Sequence, residues 1–106
     1  MVIKPRYLVK LHKLVNSQDL PWLSPELRAD FFRYQQILAL DPYKTYGVAS
    51  HNLLGKLASC RALEIDWNGL AYRLVYRVYE SPAPKRVLIL SFGEHDPAYL
   101  NAQARR

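Results

Sequence analysis

Cysteine, glycine and acidic residues are all scarce in this chain. Of its 106 residues one is cysteine and four are glycine, and 9 Asp plus Glu stand against 15 Lys plus Arg. A lone Cys60 excludes an intramolecular disulfide and argues against a cysteine-rich zinc site, which points to a reducing cytosol. None of the glycines sits in a phosphate-cradling loop, so a nucleotide-binding fold has no support. No apolar run approaches the roughly 20 residues of a membrane span. Lys4, Pro5, Arg6, Lys10 and Lys13 break the amino terminus, so it does not read as a secretory signal either. The expectation is a cytoplasmic protein with no membrane partner.

Half of the residues are apolar, and a chain of this length can bury most of its unfolded surface, so the expectation is one domain spanning residues 1–106. The formal charge of +6 favours a polyanionic partner through long-range attraction and counterion release. It is spread as +3 on each side of residue 53 and marks no boundary. The one local bias is amino-terminal, where Lys4, Arg6, Lys10 and Lys13 precede the first acid, Asp19.

Arg6 to His12 reads as an opening strand, followed by a short helical turn over Lys13 to Leu20. Ser24-Pro25-Glu26 starts a helix, because serine caps free N–H groups, proline fits the first position and glutamate complements the helix dipole. Leu27, Phe31, Tyr34 and Leu38 then recur on one face, and Asp41-Pro42 ends the helix near Leu40. Pro42 to Leu57 reads as an irregular connection. Arg61 to Asp66 is a strand, Asn68-Gly69 a tight hairpin turn, and Ala71 to Tyr79 the strongest strand in the chain. Alternation puts Tyr72, Leu74, Tyr76 and Val78 on one face and Arg73, Val75, Arg77 and Tyr79 on the other, which is expected to be open. Ser81 to Pro84 turns into a central strand, Arg86 to Phe92, and a helical turn spans Pro97 to Arg105. The plan is α+β: a small antiparallel sheet, made of an amino-terminal strand and a three-stranded meander, with two helices packed on one face.

His12, His51 and His95 lie far apart with no metal-ligand spacing, so no metal or other cofactor is expected. No nucleophile-elbow pattern is present, and Cys60 reads as a small packing residue. The informative group is Arg73, Arg77, His95, Asp96 and Tyr99, which the hairpin can gather at one end of the sheet. Metal-free RNA cleavage needs a base for the 2′-hydroxyl, cations for the charge on phosphorus and an acid for the leaving oxygen. Arginine, histidine and tyrosine supply those roles. The competing reading is a solvated face, with Arg73 and Arg77 paired to acids such as Glu64 or Asp66.

Cys60 to Ile65, Ala71 to Val78 and Val87 to Tyr99 together resemble the carboxy-terminal half of RelE/ParE-type toxins of bacterial toxin–antitoxin modules. Val9 to His12, Asp19 to Leu23 and Asp41-Pro42-Tyr43 extend the resemblance over nearly the whole chain. It implies a cytoplasmic toxin silenced by a cognate antitoxin. RelE-like members cut messenger RNA on the ribosome without metal, and ParE-like members poison DNA gyrase. The resemblance makes Arg73 the stabiliser of transition-state charge and Tyr99 the group that orients the nucleophile or stacks on a base; His95 stands where RelE-like enzymes often carry arginine, and an imidazole there can serve as base or acid. Arg61, Arg77, Lys10 and Lys13 are the expected nucleic-acid contacts. Where RelE-like enzymes carry two strand lysines, this chain has Ala62 and Glu64. A ribosome-dependent endoribonuclease is the first expectation, with a gyrase inhibitor or a non-catalytic interaction domain as alternatives.

Overall fold

The computed structural model describes residues 5–106, so Lys4 of the amino-terminal basic cluster lies outside the described residues. Five strands form one sheet: β1 (Leu8–Leu11), β2 (Ala49–Asn52), β3 (Cys60–Trp67), β4 (Leu70–Tyr79) and β5 (Arg86–Glu94), in the order β1-β5-β4-β3-β2. The meander β3-β4-β5 is antiparallel, while β1 joins β5 in parallel. Asn68 (φ 53°) and Gly69 (φ 80°) form the β3–β4 turn with both central residues left-handed, as the dipeptide predicts.

Helix α1 (Pro25–Leu40) follows its sequence signals closely. Ser24 Oγ accepts from the Leu27 N–H at 3.2 Å, Pro25 opens the first turn, and Leu27, Phe31, Tyr34 and Leu38 are all buried. At the other end Asp41 Oδ1 accepts from the backbone N–H groups of Tyr43 (2.8 Å) and Lys44 (3.0 Å), closing the chain into a turn. Before α1, Val15–Asp19 and Leu20–Trp22 are short helical turns. These turns and α1 cover one sheet face, burying Val15, Leu27 and Phe31 with Leu63, Leu74, Tyr76 and Ile89. Phe92 is the aromatic centre of that core, stacked on Phe31 at 5.6 Å and met edge-on by Tyr34 at 5.9 Å.

Three features depart from the sequence reading. The sheet is mixed rather than antiparallel, because the amino-terminal strand β1 runs parallel to β5. Within the stretch read as irregular, Ala49–Asn52 forms β2 and pairs with Asn52↔Arg61 through Ala49↔Glu64. The face bearing Arg73 and Arg77 is also not open along its whole length. Helix α2 (His95–Arg105) folds back over it, packing Ala98 and Ala102 on Ala62, Val75 and Leu90 in a second core. Its carboxy end is fixed from a distance. Arg105 meets Asp19 in a two-pronged ion pair (2.7 and 2.9 Å) and donates to the Leu90 carbonyl at 3.0 Å, while Asp19 also accepts from the Phe92 N–H at 2.9 Å. Both side chains are only 4% exposed. Among the described residues no helix is long and apolar enough to cross a membrane.

Candidate functional site

Arg73 projects from β4 onto the α2 face, between Glu64 on β3 and Gly93 on β5, its register partners. Its side chain is 14% exposed. The guanidinium donates to the Tyr72 carbonyl at 2.8 Å and approaches Glu64 Oε1 at only 4.0 Å. Its Nε is the one buried side-chain polar atom without a partner among the described residues. An orphaned buried donor costs about 1–3 kcal/mol and calls for an explanation. Gly93 supplies room beside it, since nothing lies within 4 Å of where a Cβ would stand. A cation with an unused donor therefore stands across the ladder from a glycine.

His95 and Tyr99 come one helical turn apart at the start of α2, immediately beyond Gly93. Their rings meet edge to face, with centroids 4.5 Å apart. His95 Nδ1 lies 2.7 Å from Asp96 Oδ1, which requires the proton on Nδ1 and leaves Nε2 available for proton exchange. His95 is exposed, while Tyr99 is half-buried against the α2 core. The sequence group of Arg73, His95, Asp96 and Tyr99 is thus gathered at one end of the sheet.

Arg77 stays on the same face, but four residues along β4 place it roughly 13 Å away at the usual strand rise. It lies 4.9 Å over the ring of Tyr79, which Arg86 covers at 4.6 Å. Lys10 is exposed on β1, in the same transverse row as Leu88 and Arg77. Lys10, Arg77 and Arg86 thus form a cationic end of the sheet separate from Arg73. Lys13 is exposed in the helical turn after β1.

Arg61 does not join them. Strand β3 pairs without a bulge from Cys60 to Trp67, so alternation sends Arg61 to the opposite face, beside Tyr76. There it makes five hydrogen bonds, to the carbonyls of Pro42 and Tyr43, the hydroxyls of Tyr76 and Ser50, and Asn52 Oδ1. It clamps the Pro42–Tyr43 loop to β2 and β3. Cys60 is buried, and burial pushes its thiol up, away from the reactive thiolate. His12 Nδ1 accepts from the Leu14 N–H at 3.1 Å, and burial holds its pKa below the ordinary value, so it stabilises a turn as a neutral ring.

The residue that sequence reading passed over is His51. It projects from β2 onto the Arg73 face, and its Nδ1 lies 3.0 Å from Glu64 Oε2. The only available signal was the alternation of a four-residue strand that composition did not reveal.

No protein-family model matches the chain, and no curated protein sequence matches it. Among solved structures, the E. coli toxin RelE, determined free as a double arginine-to-alanine variant, is similar over 94% of this chain and 97% of its own, with a TM-score of 0.65 at 20% identity. This chain has the RelE/ParE toxin fold. The YoeB/ParE toxin from Agrobacterium tumefaciens is similar over 83% of this chain and 98% of its own, with a TM-score of 0.59 at 19% identity. In this RelE/ParE fold, β4 carries Arg73 and the first turns of α2 carry His95 and Tyr99. Sequence resemblance and backbone architecture therefore agree while identity is low.

Proposed function

We propose that this protein is the toxin of a type II toxin–antitoxin module, acting in the cytoplasm as a metal-independent, ribosome-dependent messenger RNA endoribonuclease. The observation that carries the reading is Arg73: a nearly buried cation with an orphaned Nε–H, paired across the β4–β5 ladder with Gly93, beyond which come the His95–Asp96 pair and Tyr99. A phosphate set against the exposed edge of the Arg73 guanidinium would meet a cation whose attraction strengthens as charge builds on pentavalent phosphorus. His95 Nε2 exchanges a proton with the attacking or the leaving oxygen. Tyr99 stacks on a base or orients the nucleophile. Lys10, Lys13 and Arg77 add sequence-independent contacts to the RNA backbone. Arg61, spent on the Pro42–Tyr43 loop, has no part in this. A cognate antitoxin with an acidic segment is the partner that would mask the Arg73 surface.

The test is induction of the chain in a bacterium, followed by mapping of message ends with and without translating ribosomes. New ends inside translated frames, lost when ribosomes are absent, are expected. Growth arrest with intact messages and a DNA-damage response would instead identify a gyrase inhibitor, and harmless expression would identify a non-catalytic domain.

A further inference from the structure

Arg73 has a histidine–carboxylate pair on either side of it in the strand order. His95–Asp96 follows β5, and His51–Glu64 spans β2 and β3. The second pair has no structural duty that explains it. His51 lies on an edge strand, its side chain 41% exposed, and Glu64 is its one side-chain hydrogen-bond partner among the described residues. An exposed pair of this kind adds at most about 1 kcal/mol to stability. Two facts set it apart from a solvated surface pair. Glu64 turns one oxygen to His51 and the other toward Arg73, and all three side chains share the α2 face of the sheet.

We propose that His51, held through Nδ1 by Glu64, is the proton acceptor of the Arg73 site, with His95 as the proton donor; this rests on the RNA-cleaving reading above. The Nδ1–H···carboxylate contact fixes the tautomer and leaves the Nε2 lone pair free, and the carboxylate steadies the imidazolium once a proton arrives. His51 Nε2 takes the proton of the 2′-hydroxyl as that oxygen bonds to phosphorus. The bond from phosphorus to the 5′ oxygen breaks, and that oxygen takes the proton of His95 Nε2. The products are a 2′,3′-cyclic phosphate and a 5′-hydroxyl, with no net change in protons. Glu64 is a positioning residue, and its charge beside a phosphate is offset by Arg73 on one side and the developing imidazolium on the other.

Single-turnover cleavage of a defined message on ribosomes tests this with wild type, His51→Ala, Glu64→Gln and His95→Ala, each first shown to melt as wild type does. His51→Ala is expected to slow cleavage by about 10²–10⁴-fold, the usual worth of a general base, and to abolish the rise of rate with pH on the acid side. Glu64→Gln should slow it less while shifting that limb. A message with sulfur replacing the 5′ bridging oxygen at the cut site needs no acid, so it should restore His95→Ala and leave His51→Ala slow. Cleavage by His51→Ala at the wild-type rate, a retained acid limb, or rescue of His51→Ala by sulfur would overturn the assignment while the nuclease reading stands. A wild-type protein that cuts no message overturns both.

Discussion

Replacing Asp19 with alanine removes three contacts at once: both prongs of the Arg105 ion pair and the acceptor for the Phe92 N–H. Arg105 is 4% exposed, so the variant leaves a guanidinium buried with the Leu90 carbonyl at 3.0 Å and Gln18 Oε1 at 3.4 Å as its remaining partners. Breaking a buried pair from one side costs about 3–5 kcal/mol. Release of the last turn of α2 sets a ceiling, because Arg105 regains water once the helix lifts from Val75 and Leu90. Against a total of about 5–15 kcal/mol for a domain, that is a large fraction. At about 4–8 °C per kcal/mol the melting temperature should fall by on the order of 15 °C. Arg105→Ala should cost less, since Asp19 keeps the Phe92 N–H, and the double variant should be more stable than the sum of the singles implies. Calorimetry of all four proteins measures the cycle. A loss under about 1 kcal/mol for Asp19→Ala, or strict additivity, would show that α2 is not fixed in this way.

Four further outcomes follow from the local chemistry. Ser24→Ala removes the α1 cap and should cost about 1 kcal/mol in urea unfolding, with an unchanged dependence on denaturant. Hydrogen bonds from Tyr43 and then Tyr7 hold the Glu80 carboxyl below its ordinary range. A depressed acid contributes stability that is complete above its unfolded pKa and is lost as pH falls through the folded one. Glu80→Gln should therefore flatten the acid side of the stability profile, and an unchanged acid limb would contradict the network. The Tyr7 phenol, raised to about 12 first by burial and then by Glu80, should stay protonated beyond pH 10, which absorbance at the phenolate band in Tyr7→Phe against wild type checks. Arg61→Ala should destabilise the Pro42–Tyr43 loop, with protection from amide exchange lost there and in β2 first.

What the sequence disclosed depended on whether the information was local. The cap at Ser24, the stripe Leu27–Phe31–Tyr34–Leu38, the Asn68-Gly69 turn and the alternation of β4 are all written within a few residues, and each is found as read. Ala49-Ser50-His51-Asn52 has no β-branched or aromatic residue and becomes a strand only because β3 offers it an edge. The cover over Val75 depends on α2 being fixed by a pair 86 residues apart in sequence, which no local pattern reports. The same distance hides the role of Arg61. As a basic residue it resembles Arg73, and only the register of an unbulged strand turns it toward the Pro42–Tyr43 loop. In the candidate site Arg73, His95 and Tyr99 were legible, whereas His51 waited on the discovery of its strand.

The central claim is that Arg73 stabilises charge on a phosphate of the message. It is tested most directly by comparing wild type with Arg73→Ala in cleavage of a defined message on ribosomes. The substitution removes an orphaned donor, a loose ion pair and one hydrogen bond to the neighbouring Tyr72 carbonyl, so folding should be preserved, while the rate should fall by about 10²–10³-fold, as loss of one preorganised donor does elsewhere. A folded Arg73→Ala protein that cuts the message as fast as wild type would contradict the account.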